Sequence, residues 1–197
     1  MRRNQSGFSL VELVVVIMII TSLTALGITS YSAVQRGARN TERKTDLKDL
    51  QVALEAFRAE NGLYPDTCTG SVTSCLIGST RWYGGVGCNS SWNPRVAWIP
   101  GLTPNFIETL PLDPRQLQAN LQRTAGNCDD YPKNNCYIYR STGTDYKILA
   151  HCTPEGTLSV NDSFYDPCRA TYVWQVSSSV TSRGVNGVAC NVATNGW

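Results

Sequence analysis

The chain has 197 residues, 42% of them hydrophobic and 16% charged, with a formal net charge of +2. That size fits one domain, or a membrane stem carrying one domain, and leaves no room for several. No basic run rises above the scatter of a solvated face, so charge gives no argument for a nucleic-acid partner.

In chain order, Arg2 and Arg3 precede an apolar run from Phe8 to Ile28 whose one charge is Glu12. As a helix at about 1.5 Å per residue, its 21 positions reach roughly 30 Å, the depth of a bilayer's hydrocarbon core. A carboxylate at the centre of that core costs about 2.5–3.5 kcal/mol, and less toward an end, so Glu12 requires a partner. The competing reading is an ordinary secretory signal, with Ala25 and Gly27 as the small residues before a cut at Ile28. Its apolar region is too long for the usual ~7–15 residues, and Glu12 would interrupt it.

Ser6-Gly7-Phe8-Ser9-Leu10-Val11-Glu12-Leu13 resembles the processing site of type IV pilins and of type II secretion pseudopilins. The resemblance implies a leader, residues 1–7, that a prepilin peptidase removes between Gly7 and Phe8, with N-methylation of Phe8. It implies that Glu12 meets the protonated amino terminus of a neighbouring subunit, pairing two charges in an apolar filament core. The implied partners are copies of itself or other pilins, the peptidase, an inner-membrane assembly platform, and the membrane that holds the precursor. There are departures. Ser6 stands where many pilins carry Lys or Arg, and Thr29 stands near the place of a helix-kinking proline, with Gly27 as a point where the helix can bend. The likeness is strong from Met1 to Pro65.

Leu47, Leu50, Leu54 and Phe57 then form one apolar stripe at helical spacing, with Glu42, Arg43, Lys44, Asp46, Lys48 and Asp49 on other faces. Arg36, Arg39, Arg43 and Lys44 read as a solvated face. Asn61-Gly62 and Pro65 supply the stop, so one helix is expected from about Phe8 to Asn61. Residues 8–31 are its transmembrane or filament-core half, residues 32–61 its amphipathic continuation, and residues 62–197 a cysteine-rich globular domain. Asn61-Gly62-Leu63-Tyr64-Pro65 is similar to the turn that often closes the long helix of pilins. Leu110-Pro111-Leu112-Asp113-Pro114 is similar to a loop of the major pseudopilin, with Arg115-Gln116 where that family usually has Trp-Gly.

Eight cysteines, Cys68, Cys75, Cys88, Cys128, Cys136, Cys152, Cys168 and Cys190, all follow the apolar run. An even number confined to one side of a membrane segment points to disulfides in an oxidising compartment, and the spacings are wider than zinc sites favour. The distribution of Lys and Arg about the span argues for the opposite topology. The cysteines and the processing site outweigh it, because eight half-cystines are hard to explain in a reducing compartment. Trp82, Tyr83, Trp92 and Trp98 lie in a Gly- and Ser-rich stretch and are expected to fill a local core rather than to bind sugar.

Cys136–Arg140 and Asp145–Ala150, joined by Ser141-Thr142-Gly143-Thr144, predict a β-hairpin. Tyr172–Val176 predicts a third strand and Thr157–Val160 a short one. Helix first and antiparallel strands after is an α+β arrangement, agreeing with the pilin fold that the resemblance implies. His151 beside Cys152 carries no nucleophile signature, so no catalytic residue is expected. No cofactor is expected either. Some major pseudopilins bind calcium late in the chain, and Glu155, Asp162 and Asp166 are the carboxylates available here, without regular calcium-loop spacing. The resulting expectation is a non-enzymatic subunit of a type IV pilus or type II secretion pseudopilus, first in the cytoplasmic membrane and then in an extracellular or periplasmic filament. The alternative is a membrane-anchored extracellular binding protein that does not polymerise.

Overall fold

The computed structural model describes residues 7–67, 82–86, 88, 94–115, 136–166 and 173–178, the side chains of residues 25–30 excepted. Helix α1 spans Leu10–Asn61 without a break, through both Gly27 and Gly37. It begins two residues later than expected, because Ser9 caps it. At its other end Gly62 takes φ +81°, a left-handed conformation that favours glycine, and its N–H donates to the Arg58 carbonyl at 2.8 Å. The chain divides into two compact units, Met1–Ala38 and Arg39–Trp197, and α1 contributes to both.

In the second unit the strands β1 (Tyr83–Gly84), β2 (Cys136–Ser141), β3 (Tyr146–His151) and β4 (Val173–Ser177) form an antiparallel sheet in sequence order. The predicted hairpin is β2–β3, with Cys136 opposite His151 and Ser141 opposite Tyr146, and the predicted third strand is β4. Alternation sorts the side chains by face. Tyr137, Tyr139, Ile148, Ala150, Trp174 and Val176 join Leu47, Leu50 and Leu54 of the helix stripe in the main core. Ile138, Leu149 and Val173 point the other way, into a smaller cluster with Cys88 and Cys136. Both faces are therefore covered.

The pilin-like turn after α1 docks on the hairpin tip. The Tyr64 N–H donates to the Gly143 carbonyl at 2.7 Å, Thr67 N–H and Oγ1 both donate to the Ser141 carbonyl, and the Tyr139 hydroxyl donates to the Pro65 carbonyl at 2.6 Å. Backbone groups leaving the helix are thus satisfied by the strand pair they pack against.

The Trp-rich stretch fills the interior as expected where it is described. Trp98 is fully buried in the main core, Trp82 packs on the smaller cluster, and Trp92 lies outside the described residues. The Thr157–Val160 strand is not formed. Ser159 instead organises a turn, its carbonyl accepting from Asp162 N–H and its hydroxyl from Asn161 N–H, a local competition that serine favours over a sheet ladder.

One helix residue facing the sheet is pH-sensitive. The Tyr137 hydroxyl donates to Asp46 Oδ2 at 2.7 Å. Burial raises the Asp46 carboxyl to about 6 against the opposing effect of that bond, and the charges of Glu42, Asp113 and Asp49 add to the rise. The folded state therefore holds the proton more tightly than the unfolded chain, whose Asp titrates near 3.9. Stability contributed here falls as pH rises through about 4 to 6, and above that the charged carboxylate is a standing cost. Asp46→Asn keeps an acceptor for Tyr137, so its Tm is expected to exceed wild type at neutral pH and to match it below about pH 4. Thermal denaturation at the two pH values measures this, and equal Tm values at neutral pH would refute it.

Candidate functional site: the amino-terminal motif and the cationic turn of the helix

Within the first unit, three contacts start the helix. Ser9 Oγ accepts from Val11 N–H at 3.3 Å, the Ser9 carbonyl accepts from Leu13 N–H at 3.2 Å, and Ser9 N–H donates to Glu12 Oε2 at 2.9 Å. Ser9-Leu10-Val11-Glu12 is a capping box, in which serine and glutamate satisfy backbone donors that the first helical turn would leave unpaired. A Ser-x-x-Glu spacing before an apolar run carries that signal in sequence alone. Glu12 therefore acts within its own chain, a role additional to the intersubunit pairing that the resemblance implies. Gly7 and Phe8 lie outside the helix, and Phe8 is 92% exposed.

Beyond the cap the helix surface is apolar all round. The six consecutive residues Val15, Val16, Ile17, Met18, Ile19 and Ile20 are each between 47% and 62% exposed. Six consecutive positions on a 3.6-residue turn cover the whole circumference, so this is not the one-sided stripe of a soluble amphipathic helix. Such a surface calls for an apolar surrounding, either lipid or further apolar helices. The hydroxyls of Thr21, Ser22 and Thr24 donate to the carbonyls of Ile17, Met18 and Ile20 at 2.6–2.9 Å, so they put no unpaired donor on that surface. Among the described residues no helix is long and apolar enough to cross a membrane, so the spanning role expected of residues 8–31 is not shown by the structure.

The second unit begins with the basic turn that the sequence suggested was a solvated face. The structure corrects this for three of its residues. Arg43 is fully buried, with Nε 2.6 Å from Asp113 Oδ2 and NH2 3.2 Å from Asp113 Oδ1. Its NH1 donates to Glu155 Oε1 at 3.0 Å and to Asn40 Oδ1 at 2.9 Å. Arg39 makes a two-pronged contact with Glu155, Nε to Oε1 and NH2 to Oε2, both 2.7 Å. Asn40 clamps the Glu155 backbone, donating to its carbonyl and accepting from its N–H. Lys44 Nζ lies 2.6 Å from Asp162 Oδ2. Arg43, expected on another face, stands four residues before Leu47 and so in line with the apolar stripe, and that position was the available sign of its burial.

Burial alone would raise the Glu155 carboxyl, but hydrogen bonds from Arg39 and Arg43 and the nearby Arg115 charge outweigh it and hold it at about 2. A depressed carboxyl stabilises the fold at neutral pH and loses that contribution as pH falls from about 4 toward 2. Asp113 comes from the Leu110-Pro111-Leu112-Asp113-Pro114 loop that resembles one of the major pseudopilin, so this loop is tied to the helix by a buried ion pair.

Of the eight cysteines, Cys88 and Cys136 form a disulfide across 48 residues, and Cys152 is also disulfide-bonded. Cys68, Cys75, Cys128, Cys168 and Cys190 lie outside the described residues. The Cys88 sulfur packs on Gly84 of β1, where any Cβ would stand 2.9 Å from it. His151 Nε2 is 3.9 Å from Cys152 Sγ, a sulfur already bonded and so unable to act as a nucleophile.

A long amino-terminal helix whose second half packs on a four-stranded antiparallel sheet, with a disulfide-tied loop, is the pilin fold. Residues 2–28 match the family described as the prokaryotic N-terminal methylation motif. The chain is homologous to type II secretion system core protein G of Pseudomonas aeruginosa, at 38% identity over 69 residues, covering 35% of this chain and 49% of that protein. It is 33% identical over 66 residues to the core protein G of Aeromonas hydrophila, covering 34% and 46%. It is 39% identical over 64 residues to the type IV major pilin protein PilA of Myxococcus xanthus, covering 32% and 29%. The match thus spans about half or less of these relatives' lengths. No solved structure matches the chain significantly. The relatives are pilin and pseudopilin subunits, structural proteins rather than enzymes.

Proposed function

We propose that the chain is a structural subunit of a type IV pilus or of a type II secretion pseudopilus. In this reading prepilin peptidase cuts between Gly7 and Phe8, Phe8 is N-methylated, and the subunit waits in the cytoplasmic membrane. It is then extracted by an inner-membrane platform into a filament of itself or of mixed pilins. The supporting observation is the helix that starts at a capped Ser9 and is apolar around its whole circumference from Val15 to Ile20. Lipid covers such a surface before assembly and neighbouring helices cover it after, so the change of partner leaves little apolar area in water.

The test is mass spectrometry of the amino terminus of protein purified from its native host. A chain beginning at methylated Phe8 is the expected result; a start at Ile28 would mean ordinary secretion and overturn the proposal. A second reading, a membrane-anchored binding protein that never polymerises, has one observation in its favour. Glu12 has work to do in a lone subunit, because it completes the capping box.

A further inference from the structure

We propose that the segment after β3, from Cys152 to Asp166, is held in place by the protein's own cations in place of a divalent metal ion, so that folding of the globular unit does not depend on calcium. The proposal stands apart from the filament reading. Glu155, Asp162 and Asp166 are the carboxylates that a calcium ion in this part of the chain would need, and calcium takes about six to eight oxygens at about 2.3–2.6 Å. The donor set does not fit. Each carboxylate is engaged by a cation, and the cations come from three separate elements.

Glu155 offers both oxygens to guanidinium groups, Oε1 to Arg39 at 2.7 Å and Arg43 at 3.0 Å, Oε2 to Arg39 at 2.7 Å and Arg115 at 2.9 Å. Asp162 gives Oδ2 to Lys44 at 2.6 Å and Oδ1 to the Phe164 N–H at 3.0 Å, so its second oxygen closes the turn. The Lys44 ammonium is fixed further by the Trp174 ring, 4.7 Å from its centroid. Asp166 and Lys147 of β3 form an ion pair at 3.2 Å in which both side chains are fully buried.

A metal ion bound at any of these oxygens would sit within a few ångströms of a fixed positive charge, and at Glu155 and Asp166 burial leaves little water to screen the repulsion. Among the described residues no group of three His, Cys, Asp or Glu side chains is arranged to hold a metal ion. The segment is instead held by α1 through Arg39, Arg43 and Lys44, by the 110–115 loop through Arg115, and by β3 through Lys147. Lysine and arginine thus do internally what calcium would do from solution.

The experiment is thermal denaturation of the full chain in detergent, in excess chelator and in calcium at about 5 mM, above the dissociation constants of about 10⁻⁴–10⁻³ M typical of extracellular calcium modules. Wild type is expected to melt at the same temperature in both. Lys147→Met is expected to melt lower by about 3 °C or more in chelator, and Lys44→Met, whose ion pair is partly exposed, by about 1–3 °C. Added calcium is expected to recover neither loss, because one freed carboxylate does not make a site for an ion that takes about six to eight oxygens. A wild-type Tm that rises with calcium and falls with chelator would overturn the proposal, and so would both lysine variants melting like wild type. If Lys147→Met fails to fold, the wild-type calcium comparison and Lys44→Met decide it.

Discussion

Arg43→Leu is expected to lower the melting temperature by roughly 6–20 °C, the largest effect on stability that the structure predicts. The guanidinium is fully buried between Asp113, itself without exposure, and Glu155, whose side chain is 4% exposed. Burial opposes the charge on Arg43, and hydrogen bonds and charge from Asp113 and Glu155 more than offset that, so the group holds its proton more tightly than usual. Removing it leaves the Asp113 carboxylate in the interior without its main counter-charge. Breaking one partner of such a pair costs about 3–5 kcal/mol, and for a domain of this size each kcal/mol shifts Tm by about 2–4 °C. Glu155 keeps Arg39 and Arg115, so the cost falls mainly on Asp113. The double variant Arg43→Leu/Asp113→Leu is therefore expected to recover part of the loss, since a matched apolar pair is often as stable as a buried ion pair. Thermal melts of the three proteins test this. A single variant within about 1 kcal/mol of wild type would show that the network does not hold the loop to the helix.

The largest effect on function is expected at Glu12, and two substitutions there separate its two roles. Glu12→Gln keeps an oxygen that accepts from Ser9 N–H, because glutamine serves at that position of a capping box as glutamate does. It removes the charge. Glu12→Ala removes both. If Glu12 pairs with the amino terminus of a neighbouring subunit, both variants abolish or strongly reduce filaments while leaving cleavage after Gly7 intact. If the carboxylate serves only its own helix, Glu12→Gln assembles normally and Glu12→Ala alone is impaired. Electron microscopy of sheared filaments, with immunoblots for the processed chain, distinguishes the outcomes. Normal filaments from both variants would remove Glu12 from assembly altogether.

The helix was legible in the sequence because its apolar pattern and its Asn61-Gly62 stop are local signals; the cap formed by Ser9 and Glu12, equally local, sets its start at Leu10 where the apolar pattern alone pointed to Phe8. The β2–β3 hairpin was legible for the same reason, as alternation on two arms around a glycine-bearing turn. Thr157–Val160 was not, since a four-residue apolar alternation competes with serine turn chemistry and only the neighbouring strands decide which prevails. Of the cysteines, spacing could predict bonding but not partners. The pairing of Cys88 with Cys136 depends on β1 reaching β2, two residues at a time, across a long connection.

What the sequence determined by itself is the amino-terminal motif and the helix that carries it, because cap, charge and apolar period act over a few residues. The partners of the basic turn were decided by tertiary structure alone. Arg39, Arg43 and Lys44 look like solvated charges until the fold brings Asp113, Glu155 and Asp162 to them from 70 to 118 positions away. An ion pair owes its strength to burial and geometry, and neither is written in the spacing of the residues that form it.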